Sequence, residues 1–217
     1  MLMKIVSIIP ARKGSKGIPN KNIIDLCGKP LIYYAIKAST QSIVEETWVS
    51  SDSEEILNIS KNFGAKTIKR PSEFSDDNAT SESALLHFAE NVDFDILVFI
   101  QCTSPLIEFN DINRGVEKMK TFDSVLSVTE TNQFFWNTNG PLYDLNKRAR
   151  RQDDIKRYLE TGSFFITSKK NLLKSNNRLS GNIGLVEIPK SRAFDIDCYE
   201  DLKIVKTLIN SKRNNNE

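Results

Sequence analysis

The chain has 217 residues, and its 30 Lys and Arg residues against 28 Asp and Glu residues give a formal net charge of +2. With 39% hydrophobic and 27% charged residues, this composition excludes an intrinsically disordered chain and a protein that coats nucleic acid through its overall charge. The length fits one α/β domain with an appendage, which we place at residues 1–210.

Segments that favour strands alternate with segments that favour helices along most of the chain. Pro10 ends the first strand, Pro30 stands where the first helix begins, and Gly64 stops the second helix, which Asp52 or Ser53 would cap. Such alternation predicts a doubly wound, mostly parallel α/β sheet. The predicted strands are residues 5–9, 47–50, 96–100, 125–128, 163–167 and 183–188; the predicted helices include residues 31–38, 56–63, 84–88, 112–119 and 199–209.

Residues 131–156 interrupt this alternation. The segment holds three consecutive aromatic residues, Phe134, Phe135 and Trp136, followed by a basic cluster that runs from Lys147 to Arg151. An excursion of this length in a compact domain is typical of an arm or an interface element, so we predict a protruding dimerisation arm. The polar residues 211–217 are predicted to form a flexible tail.

Cysteine spacing and hydropathy indicate the cellular setting. Cys27, Cys102 and Cys198 form neither a CxxC pair nor a disulfide framework, so we expect free thiols. The apolar run Ile5–Ile9 is too short for a signal-peptide core or a membrane span. We therefore expect a cytoplasmic protein that binds no membrane.

The loop after the first strand carries the features of an anion-binding site. Gly14 and Gly17 let the backbone approach an anion, while Arg12, Lys16 and Lys21 can neutralise a triphosphate. Ligands bind beyond the carboxyl ends of strands in such sheets, which is where this loop lies. The alternative is a solvated basic loop. The glycines fit neither the P-loop pattern nor the dinucleotide fingerprint, so a kinase or dehydrogenase is disfavoured.

Asp195 and Asp197 are a second candidate for chemistry. On an extended chain, side chains at i and i+2 point to the same side, so both carboxylates could face one Mg²⁺ ion while Ile196 faces the core. The alternative for Asp197 is an N-cap of the helix that starts near Tyr199.

Six blocks of the sequence, in order, resemble the N-acylneuraminate cytidylyltransferases, also called CMP-sialic acid synthetases. The matching residues are Ala11, Arg12, Ser15, Lys16, Gly17, Lys21, Asn22, Gly28 and Leu31; Val49–Ser53; Arg70, Pro71 and Asp77; Gln101–Leu106; Arg150–Asp153 with Gly162; and Asp195–Asp197. This resemblance extends from residue 4 to about residue 205.

The resemblance implies an enzyme that transfers CMP from CTP to the anomeric hydroxyl of a nonulosonic acid and releases pyrophosphate. It implies a nucleotidyltransferase fold of Rossmann-like type, a homodimer and a Mg²⁺ or Mn²⁺ cofactor held by Asp195 and Asp197. Catalytic roles are implied for Arg12, Lys21 and Asp197. The implied CTP-binding residues are Ala11, Arg12, Gly14, Ser15, Lys16, Gly17, Lys21, Asn22, Arg70, Asp77 and Ser81, and the implied sugar-binding residues are Gln101, Thr103, Ser104, Arg151, Gln152 and Gly162.

Two departures from the family pattern leave the sugar open. Cys102 replaces a proline, and Leu159 lies where some bacterial sialic-acid enzymes carry an arginine that engages the sugar. A legionaminic, pseudaminic, Kdo or 8-amino-Kdo acid is therefore the alternative acceptor. A catalytically silent nucleotide-binding module is a further alternative, although retention of Arg12, Lys21 and both aspartates argues against it.

Overall fold

A computed structural model describes residues 3–15, 17–75, 79–148 and 156–214. The strands are β1 (Ile5–Pro10), β2 (Asp25–Leu26), β3 (Lys29–Pro30), β4 (Glu46–Ser51), β5 (Lys66–Lys69), β6 (Ile96–Ile100), β7 (Ser124–Thr131), β8 (Trp136–Asn137), β9 (Gly140–Pro141), β10 (Arg157–Ser168) and β11 (Ile183–Glu187). The helices are α1 (Leu31–Thr40), α2 (Glu54–Asn62), α3 (Ser81–Asn91), α4 (Phe109–Lys118), α5 (Lys169–Ser175) and α6 (Tyr199–Asn214).

Seven strands form one sheet in the order β11-β7-β10-β6-β1-β4-β5. All neighbours pair in parallel except β10, which runs antiparallel to both β6 and β7. The structure thus confirms the predicted mostly parallel α/β sheet. Because β1, β4 and β6 are parallel neighbours, their carboxyl ends meet at one edge, where a ligand is expected.

Alternate residues of the central strands feed two core layers on opposite faces of the sheet. Ile9 and Ile100 pack with residues of α1, α2, α4 and α6, whereas Ile8 and Phe99 pack with residues of α3 and α5. Because both faces are buried, these strands appear in the sequence as continuous runs of apolar residues. The layer under α3 reaches the carboxyl end of β6 through Phe99, so it forms part of the floor of the functional edge.

Helix boundaries follow local chemistry. Ser53, one of the two predicted candidates, caps α2 by accepting a hydrogen bond from the Ile56 amide at 3.4 Å. Gly64 has φ +86° just after the helix, a conformation that glycine adopts without steric cost. Pro30 precedes α1 as its N-cap residue and also closes the small β2–β3 hairpin, which the sequence did not indicate.

Several segments differ from the prediction. The edge strand β5 and the short helix α5 were missed, because each offers too few apolar residues to show a clear period. Strand β10 begins at Arg157 rather than residue 163, with an irregular pairing register between Glu160 and Phe165. Residues 211–214 were assigned to a flexible tail but continue α6, where Lys212 pairs with Glu108, the N-cap residue of α4.

The described part of the predicted arm contains the β8–β9 hairpin and an aromatic cluster. The ring centres of Phe134 and Tyr143 lie 4.6 Å apart. The guanidinium groups of Arg148 and Arg157 lie 4.7 and 5.3 Å from the centre of the Phe134 ring. Phe135 and Trp136 instead leave 43% and 61% of their surface exposed. Phe134 therefore holds the arm together, whereas its neighbours Phe135 and Trp136 face outward. Across the ranges described, no helix is long and apolar enough to cross a membrane.

Candidate active site

A cleft of about 480 Å³ opens at the carboxyl ends of β1 and β6. The loop after β1 forms one wall, the segment from Arg70 to the start of α3 forms the second, and the chain after β6 forms the third. Ten of the predicted site residues line it: Arg12, Ser15, Gly17, Lys21, Asn22, Arg70, Ser81, Gln101, Thr103 and Asp197.

Backbone contacts fix the loop that follows β1. The Ala11 amide donates to the Ser50 carbonyl at 2.9 Å, and the Lys13 amide donates to the Asp52 carboxylate at 2.8 Å. Asn22 closes the loop on itself, since its side-chain amide donates to the Arg12 carbonyl at 2.9 Å. Ala11 and Asn22, which are predicted to contact CTP, therefore also hold this loop in place.

Lys21 and Asp197 join the basic loop to the predicted carboxylate pair. The Lys21 ammonium donates to the Asp197 carboxylate at 3.0 Å and to the Ile196 carbonyl at 2.8 Å. Only 13% of the Lys21 side chain is exposed, against 76% for Asp197. The lysine is thus held in place while the aspartate remains open to the cleft.

Gly17 packs directly against the backbone of Asp197. A Cβ atom placed on Gly17 would lie 2.2 Å from the Asp197 carbonyl oxygen, closer than any side chain could fit. The sequence predicted this glycine as a site where backbone approaches an anion. In the structure, its missing side chain also lets the two halves of the site come together.

Asp195 lies behind Asp197 and is partly buried. It accepts a hydrogen bond from the Ser104 hydroxyl at 3.2 Å, and Ile196 between the two aspartates is fully buried, as predicted. Burial raises the pKa of Asp195, and the nearby Asp197 raises it further, while Thr103, Ser104 and Lys21 act in the opposite direction. A divalent cation would relieve this repulsion, so the pair suits a Mg²⁺ ion whose other ligands come from phosphates and water.

The alternative role of Asp197 as a helix N-cap is not observed. The backbone amides of Asp197 and Cys198 both donate to the carboxylate of Asp201, at 2.9 Å each. Asp201, in the first turn of α6, therefore satisfies this turn and leaves the Asp197 carboxylate free to pair with Lys21.

Arg70 is a buried cation at the wall opposite Asp197. Its pKa is lowered, mainly by burial and further by Arg12, while Asp52 opposes the shift. Its Nε is buried and has no hydrogen-bond partner among the described residues. Arg70 is therefore part of the buried wall of the cleft and not an exposed surface cation.

The third wall is built around Gln101, which follows the central strand. Thr103 donates to the Gln101 side-chain oxygen at 3.4 Å, and Gly162, with φ +69°, lies against the same side chain. Ser104, predicted to bind sugar, is fully buried, and its hydroxyl donates to the Asp195 carboxylate. The predicted residues Lys16, Asp77, Arg151 and Gln152 lie outside the described residues.

Seven further residues of the cleft were not predicted as site residues: Pro10, Phe74, Ser75, Ala79, Thr80, Phe99 and Cys102. Thr80 caps α3 by accepting a hydrogen bond from the Ser83 amide at 3.2 Å, a role that its position before a helical segment could have indicated. Phe99 could have been found from Gln101, because side chains at i and i+2 of a strand share a face. Phe74, Ser75 and Ala79 gave no signal.

Comparisons with known proteins agree with this geometry. The sequence matches the family described as Cytidylyltransferase over residues 6–212. It is 36% identical over 212 residues to N-acylneuraminate cytidylyltransferase B of Danio rerio, covering 92% of this chain and 50% of that protein. It is 34% identical over 223 residues to a pseudaminic acid cytidylyltransferase of Campylobacter jejuni, covering 95% and 96%. The chain thus spans half the length of the first relative and almost all of the second.

A solved structure shows the same fold. CMP:2-keto-3-deoxy-manno-octonic acid synthetase, complexed with CTP, superposes with a TM-score of 0.78 at 20% identity, covering 96% of this chain and 99% of that one. This likeness confirms the predicted nucleotidyltransferase type of α/β fold. Since the match covers residues 6–212 and so includes every wall of the cleft, the chain belongs to the cytidylyltransferase family.

Proposed function

We propose that the protein transfers CMP from CTP to the anomeric hydroxyl of a nonulosonic acid of the sialic-acid type, with release of pyrophosphate. The observation that carries this proposal is the junction of Lys21 and Asp197, which brings cations and carboxylates to one cleft. Cations suit the triphosphate, and carboxylates suit a hard metal ion. The names of the relatives from Danio rerio and Campylobacter jejuni support the same chemistry.

The reaction requires the acceptor oxygen to attack the α-phosphorus while the bond to pyrophosphate breaks and the hydroxyl proton leaves. Arg12 and Lys21 would neutralise charge that develops on the phosphates, the larger part of the acceleration in such transfers. Lys16 and Arg70 would add to the nucleotide site. Asp197, open to the cleft, would lie on the acceptor side of the reacting phosphate.

Asp195 and Asp197 would hold a Mg²⁺ or Mn²⁺ ion. Bound there, the metal would supply charge neutralisation at the phosphates and help to orient them. The hydrogen bond from Ser104 would hold Asp195 in place for this role, and Asp197 would face the substrates.

Gln101 and Gly162 would contact the acceptor, and Ser81 and Asp77 the nucleotide. A pseudaminic, legionaminic or Kdo-type acid is the alternative acceptor, and similarity to the Campylobacter jejuni protein over 95% of this chain favours the pseudaminic type among these. Arg151 and Gln152 would reach the sugar of a partner subunit in a homodimer. The three cysteines are free thiols, which supports a cytoplasmic setting.

A pyrophosphate-release assay tests this function. The purified protein, with Mg²⁺, would be offered CTP, ATP or GTP together with each member of a panel of 3-deoxy-2-keto acids. We expect release only with CTP and strongest release with one nonulosonic acid. Equal release with a purine triphosphate would refute the cytidylyl specificity, and CTP binding without release for any acid would indicate a silent nucleotide-binding module.

A further inference from the structure

Arg178, in the turn between α5 and β11, packs against two aromatic rings, Phe99 and Phe165, beneath the cleft. Its guanidinium lies 4.5 Å from the ring centre of Phe165 and 5.4 Å from that of Phe99. The two rings stack on each other with centres 5.6 Å apart and planes inclined by 19°. A guanidinium over aromatic faces is attracted by their negative π-density, so Arg178 holds Phe99, which lines the cleft, in one orientation.

The same guanidinium also contacts the wall of the cleft where α3 begins. Its Nη1 lies 3.3 Å from the Glu82 carboxylate, with only 23% and 24% of the two side chains exposed. Glu82 is in the first turn of α3, directly after Thr80 and Ser81, which both line the cleft. The pair is largely shielded from solvent, so salt screens it less than an exposed ion pair, although Nη1 makes no hydrogen bond among the described residues. Arg178 thus ties the floor of the cleft to its α3 wall.

The turn that carries Arg178 is anchored on both sides. Leu179 packs into the same core layer as Phe99 and Phe165. Further along, the Asn182 amide donates to the Asp123 carboxylate at 2.8 Å, and Gly181 lies so close to Asp123 that no Cβ would fit. The direction of the Arg178 side chain is therefore set by the fold.

We infer that Arg178 is a positioning residue for the acceptor end of the cleft and that it determines which acceptor fits there. The inference rests on the proposed function, in which Gln101, which directly follows β6 and lies two residues after Phe99, contacts the acceptor. The cationic loop that would bind the triphosphate follows a different strand, β1. Loss of the Arg178 contacts is expected to loosen the acceptor site more than the CTP site, because the cations that would bind the triphosphate lie on the loop after β1 and the start of α3, beside Ser81, is also held by its Thr80 cap.

The test compares Arg178→Met, Arg178→Lys and Glu82→Gln with the wild type and with Lys174→Met. Lys174 is an exposed residue of the neighbouring helix, so its replacement removes one positive charge without touching the rings. For each protein, KM for CTP, KM for the best acceptor, kcat and the unfolding temperature are measured. Methionine keeps the length and apolar stem of arginine, lysine keeps the charge that pairs with Glu82, and the glutamine variant keeps the stack.

We expect Arg178→Met to raise KM for the acceptor about tenfold while KM for CTP changes less than about twofold. Arg178→Lys and Glu82→Gln should each give a smaller increase, and Lys174→Met none. Unchanged acceptor KM in the three site variants, or a parallel loss of both KM values and of the unfolding temperature, would overturn the inference. Should Arg178→Met not fold, the smaller rise in acceptor KM expected for Arg178→Lys decides in its place. A wild type that is inactive with every acceptor would overturn the proposed function, and this inference with it.

Discussion

The ammonium group of Lys21 lies 3.0 Å from the carboxylate of Asp197, although 176 positions separate them in the chain. The same ammonium donates to the Ile196 carbonyl, so the lysine is fixed by two partners that belong to the predicted metal loop. Its charge is thereby held at the cleft before any substrate binds. Such preorganised charge costs no reorganisation when the transition state forms.

Lys21→Ala is expected to lower kcat about 100-fold or more, with a smaller change in KM for CTP. The reason is that a cation fixed near the α-phosphate contributes most when negative charge develops there. Steady-state kinetics with varied CTP measure both constants. Lys13→Ala is the control, because Lys13 is exposed and only its backbone is bonded to Asp52. A raised KM with unchanged kcat would show that Lys21 only binds CTP.

Gly17→Ala is expected to lower kcat about 10- to 100-fold and to cost about 1–3 kcal/mol of unfolding free energy. The new methyl group would lie 2.2 Å from the Asp197 carbonyl oxygen, so the basic loop and the metal loop must separate. Gly14→Ala is the matched control in the same loop, since a Cβ there meets no atom within 4 Å. Equal effects of the two substitutions would contradict the close packing of Gly17 on Asp197.

Asp197→Asn is expected to leave less than about 1% of the wild-type turnover while the protein remains folded. An amide is an uncharged and poorer ligand for a hard cation. Calorimetric titration of the CTP complex with Mg²⁺ should show weaker metal binding in the variant, and circular dichroism should be unchanged. Full wild-type activity in EDTA would contradict the requirement for a metal.

Asp195→Asn is expected to remove activity and yet to keep or raise the unfolding temperature at neutral pH. Since burial raises the pKa of Asp195, its charged form is disfavoured by folding, and stability from this group falls as the pH rises through the raised value. The asparagine variant lacks this cost. Thermal unfolding between acidic and neutral pH should therefore show a difference between variant and wild type that shrinks as the pH falls. If the variant instead lost stability relative to the wild type as the pH rose to 7, the direction of the pKa shift of Asp195 would be contradicted.

Phe135→Asp is expected to convert a dimer to monomers and to lower sugar turnover, since the inserted charge would have to lose its hydration in the contact. Phe135 is exposed on the arm, whereas Phe134 holds the arm together. Light scattering measures the oligomeric state. Leu173→Asp, at an exposed leucine of α5, controls for a new surface charge. A wild type that is monomeric and fully active would rule out the dimer proposal.

The sequence was enough to predict the order of the main strands and helices, because hydrophobic period, prolines and capping residues act over a few neighbouring positions. It also determined the basic loop after β1 and the pair Asp195 and Asp197, since these depend on residue type and short spacing. Their location at the carboxyl edge of the sheet followed from the alternation of strands and helices.

Contacts between residues that are distant in the chain could be seen only in the folded protein. The pairing of Lys21 with Asp197, the contact of Gly17 with the Asp197 backbone and the path of Arg178 across Phe99 all depend on how separate segments pack. The hydrogen bond from the buried Ser104 hydroxyl to Asp195 could not be predicted for the same reason, because no local pattern indicates it. Local periodicity specifies the face on which a side chain lies, and packing between elements specifies its partner.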